Sequence, residues 1–134
     1  MAGETGEISP DVASLTGIHW VGIVAALVSG GIHLRLGVGF VPSGLGVSFL
    51  LAGAGFLGAV ALVVVDYRRR TVYAVGIPFT LVQLLAWFWL NFAAGPKSFP
   101  GDVGTLGAVD KLAQVVLVGV LAVLLQSTGS ERDR

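Results

Sequence analysis

The chain has 134 residues, of which 54% are hydrophobic and 12% are charged, and its mean hydropathy is +0.87. These values lie far from those of soluble domains and are typical of an integral membrane protein. The formal net charge is zero, so no overall basic character favours a nucleic-acid partner. Cysteine is absent, which excludes a disulfide framework, a thiolate metal site and a cysteine nucleophile.

Four apolar segments are each long enough to cross a bilayer as a helix, which takes about 20 residues. We predict a flexible tail at 1–14, spans at about 15–36, 45–65, 72–92 and 106–125, and a charged tail at 126–134. The first connection contains Gly37, Gly39 and Pro42, which are typical of a helix end. The second is so short that spans two and three must run antiparallel. The sequence therefore predicts an all-α single domain, a four-transmembrane-helix bundle made of two antiparallel hairpins.

The distribution of Lys and Arg predicts how the chain is threaded. Five lie on the side of the termini and of the second connection, and three lie on the other side. The first group includes the run from Arg68 to Arg70, which directly flanks two spans, where the positive-inside rule counts most. We therefore expect a multi-pass protein of the cell membrane with both termini in the cytoplasm.

The first span contains the only two histidines, His19 and His33, fourteen positions apart. At 100° per residue they share one narrow stripe with Gly22, Ala26 and Gly30. This arrangement resembles the helices of b-type membrane cytochromes, which carry two haem-ligating histidines with glycines beside the porphyrin. That resemblance implies haem b as an alternative cofactor, with Arg35 near a propionate. Because the chain has no further histidine, the second ligands would have to come from a symmetric homodimer.

The other interpretation of the same stripe is structural. His19 and His33 lie near the two ends of the span and can reach polar surroundings there. Gly22, Ala26 and Gly30 then let another helix approach closely. The second span has a comparable small-residue pattern, for which we expect the same role. The residues concerned there are Gly55, Gly58 and Ala59.

Spans three and four carry polar residues that should avoid lipid. We predict a polar cluster formed by Gln83, Asn91, Asp110 and Gln114, close to His33 and Arg35. One interpretation is a set of hydrogen bonds between helices. The alternative is an outward-facing polar cavity of a small-solute or ion carrier. The sequence contains neither a catalytic motif nor a metal-ligand cluster, so we expect no enzymatic activity, no metal and, outside the haem alternative, no cofactor.

Glycine-, valine- and alanine-rich spans without cysteine, preceded by a short acidic tail, resemble the small four-span membrane proteins of uncharacterised function from halophilic archaea and high-GC bacteria. That resemblance implies the topology and little more. We expect a self-associating or accessory subunit of a membrane complex, whose first two spans present small residues to a partner. The expected partners are the lipid bilayer and either copies of the same chain or other membrane subunits.

Overall fold

The computed structural model describes residues 9–99, 101 and 103–132, with side chains up to residue 128. Its four long helices are α1 (Gly17–Phe40), α2 (Gly44–Val64), α3 (Arg69–Phe88) and α4 (Thr105–Arg132). A π-helical turn, Trp89–Ala93, prolongs α3, and a short 3-10 turn, Val12–Ser14, precedes α1. No strand occurs in the part of the chain that the structure describes. The predicted all-α class is therefore confirmed.

Each of the four helices is long and apolar enough to cross a membrane, over Gly17–Phe40, Gly44–Val64, Arg69–Ala93 and Thr105–Thr128. Large apolar side chains cover much of their outer surfaces, and Leu51 and Leu85 are about 70% exposed. Such a surface is unfavourable in water and is matched by lipid chains. The chain is accordingly a multi-pass membrane protein.

The helices pack as two antiparallel hairpins, as predicted. Contact is most extensive between α1 and α2, and it is also broad between α3 and α4. The hairpins join along α1 and α4, whereas α2 and α3 touch only slightly. The tight turn between α2 and α3 therefore links two helices that separate as they leave it.

Glycines set the close contact between α1 and α2. A Cβ atom on Gly53 would lie 2.7 Å from the Leu34 side chain and 3.0 Å from the carbonyl oxygen of Gly30. A Cβ atom on Gly37 would lie 2.7 Å from Leu50. The expectation that Gly37 belongs to a terminating turn differs from the structure, in which α1 continues to Phe40. Gly37 serves a helix contact, because the missing side chain lets the two backbones approach.

The described parts of the two predicted tails make backbone contacts or continue a helix. Residues 1–8, 133 and 134 lie outside the described residues, but the amide of Asp11 donates a hydrogen bond to the carbonyl of Val64, at 2.7 Å. The amide of Thr16 donates to Nδ1 of His19, at 3.0 Å, which satisfies one of the free donors at the start of α1. At the other terminus, α4 extends to Arg132, where we expected a tail from residue 126.

Candidate functional site

Six polar side chains from three helices meet inside the bundle. α1 contributes Ser29 and His33, α3 contributes Gln83, and α4 contributes Asp110, Lys111 and Gln114. Ser29 and Gln114 are fully buried, and His33 and Asp110 are about 5% exposed. Buried polar groups require partners, so the hydrogen bonds among them decide what this cluster can do. We call these six residues the polar network.

Asp110 is the charged centre of the polar network. Its Oδ1 accepts a hydrogen bond from the Ser29 hydroxyl at 2.6 Å, and its Oδ2 lies 2.9 Å from the Lys111 ammonium. The same ammonium donates to Oε1 of Gln114, at 2.9 Å, and lies 5.4 Å from the centre of the Trp87 ring. The negative and positive charges therefore cancel locally, which offsets part of the cost of removing both from water.

His33 is held by its own helix and by α2. Nδ1 lies 2.8 Å from the carbonyl oxygen of Ser29 and 3.7 Å from Oδ1 of Asp110. Because a carbonyl can only accept, the short contact assigns the proton to Nδ1. The imidazole packs against the rings of Phe49 and Phe56, with centroid distances of 5.5 and 5.7 Å. Its ring is thus enclosed by apolar neighbours.

Gln114 connects all three helices. Its amide nitrogen donates to Oε1 of Gln83 at 3.1 Å and to the hydroxyl of Ser29 at 3.3 Å. The amide nitrogen of Gln83 in turn donates to the carbonyl of Phe79, at 3.1 Å. These contacts join α4 to α3 on one side and to α1 on the other, at the same level of the bundle.

The structure thus brings together four of the residues that we predicted for a polar cluster, namely His33, Gln83, Asp110 and Gln114. Asn91 is apart from them, because its amide donates to the Trp87 carbonyl of its own helix, at 2.8 Å. Arg35 is exposed. His19 lies at the opposite end of α1, where its Nδ1 is hydrogen-bonded to the side chain of Thr16.

Sequence reasoning missed two members of the network, Ser29 and Lys111. Ser29 precedes His33 by one helical turn, so the i, i+4 spacing was an available signal. Lys111 was visible as the neighbour of Asp110 on an otherwise apolar span. Pairing of opposite charges within lipid would have indicated that it turns inward.

The small residues predicted to mediate helix packing are mostly used inside this chain. A Cβ on Gly22 would lie 2.9 Å from Val120 of α4, and one on Gly30 would lie 3.1 Å from Phe56 of α2. Ala26 is buried between them. A Cβ on Gly55 would lie 2.7 Å from the Phe79 ring, and Ala59 lines a cavity described below, whereas Gly58 has nothing within 4 Å.

Comparison with protein families gives one match, to a family of unknown function, DUF7475, over residues 7–125. The chain belongs to the DUF7475 family. This agrees with the resemblance to small four-span proteins of uncharacterised function, while the organism of origin stays a prediction. Searches among curated proteins and among solved structures gave no match.

In this DUF7475 protein the polar network can hold three of the helices together. Its hydrogen bonds run between side chains of the network or to backbone carbonyls, and its two charges neutralise each other. Among the described residues, no group of three or more His, Cys, Asp or Glu could hold a metal ion. Interhelical hydrogen bonds in membranes contribute about 0.6 to 2 kcal/mol each. Several acting together fix the positions of α1, α3 and α4.

Proposed function

We propose that this DUF7475 protein is a non-catalytic subunit of a membrane complex and that it assembles with copies of itself through α2. The observation that carries the proposal is an uncovered small-residue pair, Ala54 and Gly58, on the outer face of that helix. A Cβ atom on Gly58 would meet nothing within 4 Å. We define the outer face of α2 as five exposed residues on one helical stripe, Val47, Leu51, Ala54, Gly58 and Leu62.

The use of small residues elsewhere in the bundle supports this proposal. Gly22, Gly30 and Gly55 each receive a neighbouring side chain of the same chain. In a bilayer, helices associate through such close backbone packing because lipid is as apolar as the side chains. A second copy offers the same stripe, so a two-fold axis would pair Ala54 and Gly58 with their counterparts.

The geometry gives the other predicted functions less support. A haem bound by His33 would have to displace Phe49 or Phe56, which pack on the imidazole. A carrier needs polar groups that face a space for solute, but Asp110 and Gln114 bind their neighbours directly. A non-catalytic subunit needs only a stable bundle with an exposed face for its partner. The polar network stabilises the bundle, and α2 has the exposed face.

Replacing Gly58 by Leu is expected to weaken self-association about tenfold, which corresponds to about 1.4 kcal/mol. The added side chain would hold the two α2 backbones apart. The measurement is the dimer fraction of labelled protein in lipid bilayers, determined by energy transfer over a series of protein-to-lipid ratios. Gly31→Leu is the matched control, because Gly31 is also an exposed helical glycine with nothing within 4 Å.

The Gly31→Leu variant should associate within about twofold of the wild type, a difference of about 0.4 kcal/mol. Equal losses in the two variants would show that the outer face of α2 has no special role. A wild-type protein that stays monomeric at every ratio would contradict self-assembly and would leave a different membrane subunit as the partner.

We further infer that both termini lie in the cytoplasm. The contact between Asp11 and Val64 supports this, since it places the N-terminal segment at the same end of the bundle as the Arg68–Arg70 run. Positive charge is retained on the cytoplasmic side of membranes. Alkaline phosphatase fused after Arg132 is expected to be inactive, and the enzyme inserted between Ala93 and Thr105 is expected to be active. The reverse pattern would contradict this orientation.

A further inference from the structure

A crevice lies between α2 and α3, and its lining includes no residue of the outer face of α2 or of the polar network. It contains a cavity of about 60 Å³, several times the ~15 Å³ that one water needs. Its lining is almost entirely apolar and comes from all four helices. Ala59 and Val63 of α2 and Val72, Tyr73 and Gly76 of α3 form part of it, and residues of α1 and α4 form the rest. Apolar cavities do not hold water, so hydrocarbon is the expected content of one inside a bilayer.

Two aromatic rings close the crevice at its far end. Phe79 of α3 packs against Gly55, and its ring centroid lies 5.2 Å from that of Phe56. From this contact the crevice runs towards the turn between α2 and α3. Tyr73 and His19 are among the residues that line that end.

Two buried polar groups without partners lie near the α2–α3 turn, one on Tyr73, which lines the crevice, and one on Arg69, which does not. Tyr73 is 1% exposed, and its hydroxyl makes no hydrogen bond. Nη2 of Arg69, one helical turn earlier, is also buried and unpaired. The Nε of Arg69 does have partners, namely the Val63 carbonyl at 2.8 Å and Asp66 at 3.3 Å. A buried donor left unsatisfied is unfavourable, so these two donors indicate a missing acceptor.

The charge at this end favours an anion. Arg68 and Arg70 are exposed on either side of Arg69. Asp66 contacts the Arg69 guanidinium, but its side chain is half exposed. Basic residues next to a span attract anionic lipid headgroups.

We propose that this crevice binds one anionic phospholipid from the leaflet that contains the α2–α3 turn. Its acyl chain lies along the apolar lining, and its phosphate oxygens accept hydrogen bonds from the Tyr73 hydroxyl and from Nη2 of Arg69. Phosphate fits this pair because it offers several acceptors and a full charge to a guanidinium. A membrane lipid is the proposed ligand because the apolar crevice leads towards the arginine-rich turn between α2 and α3, and arginines next to a span attract anionic headgroups.

Native mass spectrometry of the protein from mixed micelles with equal phosphatidylglycerol and phosphatidylcholine tests this proposal. The wild type is expected to retain one phosphatidylglycerol in preference to phosphatidylcholine. Arg69→Gln should weaken retention of phosphatidylglycerol about tenfold, since a hydrogen bond to a charged group is lost. Arg70→Gln removes the same charge from an exposed neighbour, so only long-range attraction is lost and retention should fall by clearly less than in Arg69→Gln, at most about fivefold.

Tyr73→Phe separates a binding role from a structural one. It removes only a hydroxyl that has no partner in the protein, so stability in phosphatidylcholine should be unchanged or higher. Retention of phosphatidylglycerol should nevertheless fall several-fold, roughly threefold to tenfold. A loss of stability in phosphatidylcholine with unchanged phosphatidylglycerol retention would overturn the assignment of this hydroxyl.

Filling the crevice tests the position of the acyl chain. Ala59→Leu, which adds volume to the lining, should reduce phosphatidylglycerol retention, whereas Ala61→Leu on the exposed surface of α2 should not. Equal retention of the two lipids by the wild type, equal losses in Arg69→Gln and Arg70→Gln, or full retention in Ala59→Leu would overturn the proposal. Because none of these residues belongs to the outer face of α2, failure of this site is distinguishable from failure of self-association.

Discussion

Replacing Asp110 by Leu is expected to lower the free energy of unfolding by about 3 kcal/mol, because it leaves the Lys111 ammonium unpaired inside the bundle. The substitution also removes the acceptor of the Ser29 hydroxyl, which is fully buried. Unfolding by sodium dodecyl sulfate in mixed micelles, followed by circular dichroism, measures the change. Ser29→Ala removes a hydroxyl that donates to Asp110 and accepts from Gln114 but leaves the ion pair intact, so it should lower the same free energy by less, about 1.5 to 2 kcal/mol.

The double variant Asp110→Leu with Lys111→Leu provides the decisive control. Removing both charges leaves no unpaired ion, so the double variant should be more stable than Asp110→Leu alone. Lys97→Met, which removes an exposed cation outside the helices, should change stability by less than about 0.5 kcal/mol. If the free energy of unfolding of Asp110→Leu falls by less than about 1 kcal/mol, the Lys111 ammonium can leave the polar network for water at little cost. The polar network would then not hold the helices together.

The number and positions of the helices could be predicted because the bilayer imposes a length and an apolar composition on each span. The choice of helix neighbours could not be predicted in the same way. The short turn after Val64 indicated a close pair of α2 and α3, yet α2 contacts α1 most extensively. Gly37 and Gly53 decide this pairing, and a glycine in a sequence is compatible with a helix end, a helix contact or a lipid-facing position.

The polar cluster was predictable in part for a similar reason. Polar side chains avoid lipid, which brought His33, Gln83 and Gln114 together in the prediction. Asn91 did not join them because its amide is satisfied by a carbonyl of its own helix, one turn earlier. Sequence alone does not distinguish this local bond from one between helices. The two unpaired donors near the α2–α3 turn depend on how the helices separate, so the sequence does not locate them.

Gly46 occupies the tightest position in the contact between α1 and α2. It lies in the first turn of α2, and its amide donates to the Ser43 hydroxyl at 3.1 Å. A Cβ atom here would lie 2.5 Å from the carbonyl carbon of Phe40 and from the amide nitrogen of Val41. Both of these atoms are backbone, so no side-chain rotation can relieve the overlap. The connection would have to move away from α2 as a unit.

Gly46→Ala is therefore expected to lower the free energy of unfolding by about 2 kcal/mol. Overpacking should destabilise the variant by up to about 3 kcal/mol, and the higher helix propensity of alanine should stabilise it by about 0.5 to 1 kcal/mol. Gly31→Ala makes the same chemical change at a helical position with nothing within 4 Å, so only the gain should appear and the variant should match or exceed the wild type. The test is whether the two substitutions change the free energy of unfolding in opposite directions, as measured by detergent unfolding. A Gly46→Ala variant as stable as Gly31→Ala would show that α1 and α2 do not approach this closely, because an overlap with backbone atoms cannot be absorbed without loss of packing.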